Sequence, residues 1–162
     1  MYSMFLEEEQ ISSLFKHLGN PHKLICEIGL TTGLRVSDIV ALKKDILNKK
    51  EPTIKERKTG KSKRIYINKK LKAELLEYCK NNKTYIFETN SKCGHITRQA
   101  VHKALKKACF KADIKRNVAT HSMRKTYAKR MLNKNKGLKY VKCKLNHSTI
   151  ADTLLYISNE KR

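Results

Sequence analysis

The sequence has no tryptophan, two prolines and six glycines. No apolar run approaches the roughly 20 residues that cross a bilayer, so no membrane partner is expected. The amino-terminal residues Glu7–Glu9 are acidic where a signal peptide would be basic, which predicts an intracellular, cytoplasmic protein. The few prolines and glycines do not cluster into a linker, and no repeat or low-complexity tail is present. A single domain is therefore expected.

Paired cysteines and phosphate-binding glycine loops are also missing. The five cysteines are scattered, and none forms a Cys-x-x-Cys pair: Cys26, Cys79, Cys93, Cys109 and Cys143. This pattern indicates neither a disulfide framework nor structural zinc, and buried free thiols are expected. Because no Walker loop or dinucleotide-binding motif is present, we expect no cofactor and no metal.

Acidic residues are scarce, with 14 Asp+Glu against 37 Lys+Arg and a formal net charge of +23. This balance does not suit an ordinary enzyme of a neutral metabolite and predicts a polyanionic partner, most simply nucleic acid. The excess is concentrated in 55–64, where Glu56 is the one acid, and in 98–144, where Asp113 is the one acid. A solvated face does not need so long a basic stretch, so we expect phosphate contacts that weaken with salt. An anionic membrane surface is the alternative, but no long basic amphipathic segment is present.

Hydrophobic periodicity predicts a mostly helical α+β fold with one small antiparallel sheet. Helices are expected at 7–18, 21–33, around 37–42, after Asn68, from Thr97 to Phe110, and at 121–134, 138–145 and 149–157. Residues 46–67 alternate instead, which predicts a basic hairpin of Ile54–Arg57 and Lys63–Ile67. A third strand near Ile46–Asn48 would complete a three-stranded sheet. Tyr85–Phe87 is expected to be a short extended segment.

Two segments early in the chain place cations where they could meet a phosphate. Arg35 follows the glycine stop of one helix and begins the next, so its guanidinium fork can reach an anion. A surface ion pair with Asp38 is the plainer explanation. Lys58 lies at the expected hairpin tip. A hairpin that enters a groove of a nucleic acid could place this lysine beside a bond of the backbone. Spacing alone does not separate Lys58 from Lys61.

Two later segments carry titratable groups. His121 and Arg124 are three residues apart on a helix and share a face, which suits an anionic transition state. A capped helix with an incidental pair explains them equally well. His147 lies in the segment 145–149, just before an expected helix start, and Tyr156 follows nine residues later. A tyrosine near a chain end is more often an amphipathic packing residue.

Taken in order, these segments resemble the catalytic domain of the tyrosine recombinase (phage integrase) family. That family carries an arginine in a TGLR-x-S-E/D context, a hairpin lysine, an HxxR, an LGH-S/T segment and a later tyrosine. The sequence has the corresponding segments in the same order: Thr32–Asp38, Glu56–Arg64, His121–Arg124, Leu145–Thr149 and Leu154–Ser158. It departs from the pattern at Asn146, where the family has glycine, and at Leu155, which replaces a polar residue.

The resemblance implies a role for each matching residue. Arg35 and Arg124 would clamp the non-bridging oxygens of the scissile phosphate. Tyr156 would be the nucleophile, forming a covalent 3′-phosphotyrosine and a free 5′-hydroxyl, and Lys58 would be the general acid for that hydroxyl. The covalent intermediate stores the bond energy, so neither metal nor ATP would be needed.

Supporting roles are implied for His121 in proton transfer from the tyrosine, for His147 in hydrogen bonding to the phosphate, and for Asp38 behind Arg35. The partners would be double-stranded DNA and further copies of the chain, as a tetramer during synapsis. Residues 1–162 would form one catalytic domain, without the amino-terminal core-binding domain of full-length relatives.

Two alternatives stay open at the level of sequence. One is a non-catalytic DNA-binding module with the same fold. The other is a basic RNA-binding protein unrelated to the family, in which the six candidate residues would not converge in space.

Overall fold

A computed structural model describes residues 3–158, so residues 1–2 and 159–162 of the expected domain lie outside the described part. In that part the chain forms eight α-helices and one two-stranded antiparallel sheet, which confirms the α+β class. The helices are α1 (Glu8–Lys16), α2 (His22–Thr32), α3 (Val36–Val40), α4 (Lys69–Tyr78), α5 (Arg98–Lys111), α6 (Thr120–Asn133), α7 (Leu138–Leu145) and α8 (Ile150–Ser158). The strands are β1 (Thr53–Lys55) and β2 (Ser62–Arg64).

The expected third strand near Ile46–Asn48 is wrong. Lys44–Asn48 forms a 3₁₀ helix that buries both Ile46 and Leu47. A strand places neighbouring side chains on opposite faces, whereas one helical turn can turn both toward the core. The sheet therefore consists of β1 and β2 alone within the described residues, with Ile54 opposite Lys63.

The expected extended segment Tyr85–Phe87 is only partly correct. Tyr85 forms a single bridge with Lys43, but Ile86 and Phe87 lie in a turn. The main-chain nitrogen of Ile86 donates to the oxygen of Leu42, and both turn side chains are fully buried. Their apolar character thus reflects burial in the core.

Helices α2 and α6 meet at the centre of the core. Apolar residues occupy most faces of α2, as expected for a helix that is surrounded by others. At Gly29 the two helices approach so closely that an added Cβ would lie 2.9 Å from Cβ of Met123. This contact places the start of α6 beside the carboxyl end of α2, and these are the regions that carry Arg124 and Arg35.

Polar and left-handed residues limit the helices where the sequence predicts it. Side chains of Asn68 and Thr97 accept from the main-chain nitrogens three residues later, at the starts of α4 and α5. Gly33 ends α2 with φ of 64°, and Asn146 ends α7 with φ of 51°. A Cβ on Gly33 would overlap Cδ1 of Tyr127, so this position needs glycine for space as well as for conformation.

Lys63 turns inward from β2. Its neighbours Ser62 and Arg64 are exposed, whereas Lys63 is 6% exposed. Its Nζ donates to the main-chain oxygen of Thr32 at 2.8 Å. Burial, together with the positive charge of Arg124, lowers the pKa of Lys63 to about 7. The strand is thereby tied to the end of α2 by a buried amine.

The five cysteines are unpaired, as expected, but Cys93 and Cys143 are exposed and so contradict the expectation of buried thiols. Among residues 3–158, no cluster of three or more His, Cys, Asp or Glu side chains could hold a metal ion. In the same part of the chain, no helix has the length and apolar character to cross a membrane.

Replacement of Gly33 by alanine should lower the free energy of unfolding by about 2–4 kcal/mol, because it adds left-handed strain to an overlap with Tyr127. Urea denaturation measures the change. Gly19→Ala is the control, since a Cβ there meets no atom within 4 Å. Equal stabilities for the two variants would contradict the account of the α2 terminus.

Lys63→Met should alter the pH dependence of stability. The pKa of Lys63 falls from 10.5 to about 7 on folding, so between these values the unfolded chain binds more protons. The free energy of unfolding should therefore rise with pH, by up to about 1.4 kcal/mol per pH unit, and Lys63→Met should lack that contribution. Denaturant titrations from pH 6.5 to 8.5 test this, with the exposed Lys61→Met as control. Parallel pH profiles for wild type and Lys63→Met would refute it.

Candidate active site

Arg35 begins α3 directly after the left-handed turn at Gly33, and its side chain is 16% exposed. Its Nη1 donates to Oε2 of Glu56 at 2.8 Å. Glu56 lies in the hairpin and is completely buried. Among the described residues no ion pair joins Arg35 to Asp38, so the simple surface pair considered from the sequence does not form.

Arg124 lies in α6 and is 2% exposed. Its Nη1 donates to the main-chain oxygen of Gly33 at 2.8 Å, and Nη2 donates to the oxygen of Leu145 at 2.5 Å. Nη1 also lies 3.8 Å from Oε1 of Glu56. Both guanidinium groups therefore converge on one carboxylate, and the two arginines face a common pocket.

The carboxylate of Glu56 is ionised at neutral pH. Burial alone would raise its pKa, but the hydrogen bond from Thr59 and the positive charge of Arg35 outweigh that effect and lower it. Asn146 and Arg124 act in the same direction. Oε1 of Glu56 forms no well-aligned hydrogen bond within the described part of the chain, and neither does Nδ2 of Asn146.

Two histidines border the arginine pair. His147 follows α7, and its Nδ1 lies 3.1 Å from Oγ1 of Thr153. Burial and the charges of Arg124 and Arg35 lower the pKa of His147 to about 4, so the imidazole is neutral at physiological pH. The side chain of His121 is open to solvent on one side. Partial desolvation and the charge of Arg124 lower its pKa as well.

Tyr156 extends from α8 into the same pocket. Its Oη donates to the main-chain oxygen of His121 at 3.4 Å, and its ring meets the edge of the His147 ring with centroids 5.2 Å apart. Nζ of Lys125 lies 5.4 Å from the ring centroid. Burial raises the pKa of Tyr156 to about 12, although Arg124 opposes the rise, so the phenol is protonated at rest.

Lys58 lies in the turn between β1 and β2 and is exposed. Within residues 3–158 its side chain forms no hydrogen bond or ion pair, and its positive charge is one of the smaller causes of the lowered pKa of His121. The turn is docked on α3 through the main-chain nitrogen of Arg57, which donates to Oδ1 of Asp38 at 3.0 Å. Asp38 thus supports the lysine turn directly.

Glu56 and Lys63 are buried beside the arginine pair, and neither was among the candidates from the sequence. Each left a signal. Glu56 is the one acid in the basic stretch 55–64, and Lys63 falls on the same face of its strand as the buried Ile65. Recognising either residue required knowing which face of the hairpin packs on α2 and α3.

The structure brings Arg35, Arg124, His121, His147 and Tyr156 of one chain together, whereas Lys58 lies in the exposed hairpin turn that Asp38 supports. The unrelated RNA-binding alternative required these side chains to lie apart, and their convergence argues against it. Elsewhere, α5 carries exposed lysines that face solvent: Lys103, Lys106 and Lys107.

Comparisons with known proteins identify the family of the chain. The phage integrase family model matches residues 4–162. The probable integrase/recombinase YoeC of Bacillus subtilis (strain 168) is 31% identical over 155 residues, which cover 92% of this chain and 85% of that protein. A tyrosine recombinase of Thermosipho africanus (strain TCF52B) is 26% identical; the match covers 94% of this chain but 56% of that protein. The chain thus spans little more than half of such longer relatives.

Solved structures have the same fold. The catalytic domain of bacteriophage HP1 integrase is 25% identical, with a TM-score of 0.71 over 97% of this chain and 88% of that one. XerA recombinase reaches a TM-score of 0.78 at 19% identity, covering 99% of this chain and 62% of its own. With a family match over nearly the whole sequence, the chain belongs to the phage integrase family of tyrosine recombinases and corresponds to its catalytic domain.

Proposed function

We propose that this chain is the catalytic domain of a site-specific DNA recombinase that cleaves and rejoins DNA strands through a covalent 3′-phosphotyrosine. The observation that supports this most directly is the position of the Tyr156 hydroxyl, in one pocket with the guanidinium groups of Arg35 and Arg124. A phenol beside two fixed cations is suited to attack on a phosphodiester.

The arginines stabilise the negative charge that develops on the phosphoryl oxygens. A phosphodiester carries one negative charge, and its five-coordinate transition state carries more on the non-bridging oxygens. Arg35 commits Nη1 to Glu56 and keeps its other donors for these oxygens, while Arg124 is held rigidly by two main-chain carbonyls. Donors that are fixed before substrate arrives favour the transition state without reorganisation.

Proton transfers accompany the exchange of bonds. Tyr156 is protonated at rest, so its proton passes to His121 as the bond from Oη to phosphorus forms. The bond from phosphorus to the 5′-oxygen breaks, and Lys58 protonates that oxygen. His147 is neutral and donates a hydrogen bond to the phosphate. Attack of a 5′-hydroxyl on the phosphotyrosine reverses every step and restores the phenol.

No external energy source enters this scheme, because the phosphotyrosine conserves the energy of the broken ester. Side-chain cations supply the charge stabilisation, so the step as proposed needs no metal ion. The non-catalytic DNA-binding module remains the competing proposal, and it differs in one outcome only, the absence of a covalent adduct.

Double-stranded DNA is the proposed partner. The net charge of +23 and the exposed lysines of α5 provide phosphate contacts over a wide surface. One structural neighbour of the same fold is a lambda integrase dimer bound to a COC′ core site. We extend the proposal to a tetramer of this chain on paired DNA sites during synapsis.

Tyr156→Phe should abolish covalent attachment to a nicked DNA substrate that traps the cleaved strand, because phenylalanine has no oxygen to bond to phosphorus. Denaturing gel electrophoresis detects the adduct, and DNA binding should be retained. Tyr66→Phe is the matched control, since that tyrosine is 74% exposed. An adduct with the Tyr156→Phe variant would disprove the choice of nucleophile, and binding by wild type without any adduct would favour the non-catalytic module.

Replacing Lys103, Lys106 and Lys107 by glutamine should weaken DNA binding broadly and lower the dependence of log K on log salt by about 1 for each lost phosphate contact. Binding titrations at several salt concentrations measure this slope. The control is Lys23→Gln with Lys80→Gln, whose ammonium groups pair with Glu27 and Glu77. Equal slopes for the two sets of variants would contradict a DNA-facing α5.

A further inference from the structure

Glu56 occupies an unusual place in a pocket suited to anions. It is a completely buried carboxylate, and its nearest charged neighbours are the guanidinium groups of Arg35 and Arg124. A buried charge is costly unless it is paired and hydrogen-bonded. Oε2 meets this requirement by accepting from Arg35 at 2.8 Å and from Oγ1 of Thr59 at 2.9 Å. One carboxylate oxygen thus joins α3 to the hairpin turn.

The same residue closes the turn with its main chain. The nitrogen of Glu56 donates to the oxygen of Lys61 at 3.0 Å, and the nitrogen of Gly60 donates to the oxygen of Glu56 at 2.8 Å. Lys58 lies inside this closed segment, one residue before Thr59. Glu56 therefore holds the segment that presents Lys58 through both its side chain and its main chain.

Lys58 needs such support because its own side chain forms no hydrogen bond or ion pair in the described part of the chain. A lysine has a long stem with many rotamers, and an exposed turn adds further freedom. The link from Asp38 to Arg57 fixes one side of the turn. The link from Arg35 through Glu56 to Thr59 fixes the other, and it begins at a residue that would itself hold the phosphate.

We propose that Glu56 is a positioning residue that fastens the Lys58 turn to Arg35, so that the general acid and the first phosphate-binding arginine keep one mutual geometry. This inference rests on the proposed function. Glu56 does not touch DNA in this account. It acts through the Lys58 turn, so its loss should slow protonation of the leaving 5′-oxygen.

The leaving group separates this role from a purely structural one. A substrate with sulfur in place of the bridging 5′-oxygen releases a thiolate, which departs without a general acid. A variant that misplaces Lys58 should be slow on the oxygen substrate and recover on the sulfur substrate. A variant that only weakens the fold should be slow on both.

The experiment measures single-turnover adduct formation on matched oxygen and sulfur substrates, with DNA affinity recorded in parallel. Glu56→Gln should lose about 10- to 100-fold in rate on the oxygen substrate and recover to within about threefold of wild type on the sulfur substrate. DNA affinity should be unchanged or slightly higher. Glu51→Gln is the matched control, because it removes an exposed acid from the same hairpin with the same change of charge.

Two further variants keep the test decisive. Thr59→Val removes the bond from Thr59 and leaves the Arg35–Glu56 pair intact, so it should show the same pattern in weaker form even if Glu56→Gln folds poorly. The double variant Glu56→Gln with Lys58→Ala should be no slower on the oxygen substrate than Lys58→Ala alone. Both changes remove the same function, which is protonation of the leaving oxygen by Lys58.

Equal losses on the two substrates, additive losses in the double variant, or a wild-type rate for Glu56→Gln on the oxygen substrate would each overturn the inference. These results leave the proposed function intact, because wild type still forms the adduct. If wild type forms no adduct with either substrate, the proposed function fails, and the inference fails with it.

Discussion

The pocket depends on how the chain holds the buried guanidinium of Arg124. A charge that is 2% exposed must be solvated by the protein, and here two main-chain oxygens do so, those of Gly33 and Leu145. Both oxygens belong to the carboxyl ends of helices, α2 and α7, where unpaired carbonyls carry partial negative charge. The guanidinium therefore donates hydrogen bonds to the unpaired carbonyls at two helix ends, and these carbonyls compensate its buried charge. Its orientation follows from the packing of three helices.

The left-handed residues follow from the same constraint. Each helix must stop abruptly so that its last carbonyl faces Arg124 and the chain can turn toward the next site residue. Gly33 does this before Arg35, and Asn146 does it before His147. Asparagine adopts a positive φ more readily than other residues with side chains, so its departure from the family's glycine leaves the turn intact. At Gly33 the limiting factor is space, because any side chain there would overlap Tyr127.

Much of this fold could be predicted from sequence because it is encoded locally. Helix periodicity and caps such as Asn68 and Thr97 gave boundaries within a few residues. The prediction of a third strand was wrong because two adjacent apolar residues, Ile46 and Leu47, are compatible with either a buried strand or a 3₁₀ turn until the packing is known. The six candidates were recognised through the order of their motifs. Glu56 and Lys63 were missed because their importance depends on which side of a short hairpin is buried, and charge alone argues for the solvent side.

Tyr156 lies in a pocket that is formed by residues of its own polypeptide. The proposed nucleophile packs against histidines of its own polypeptide and lies beside its own arginines. Within residues 3–158 of a single polypeptide, the proposed nucleophile thus already lies beside the proposed phosphate-binding arginines. If the proposed function holds with the pocket arranged in this way, a copy that lacks Tyr156 would not be rescued at this pocket by a copy that lacks Arg35.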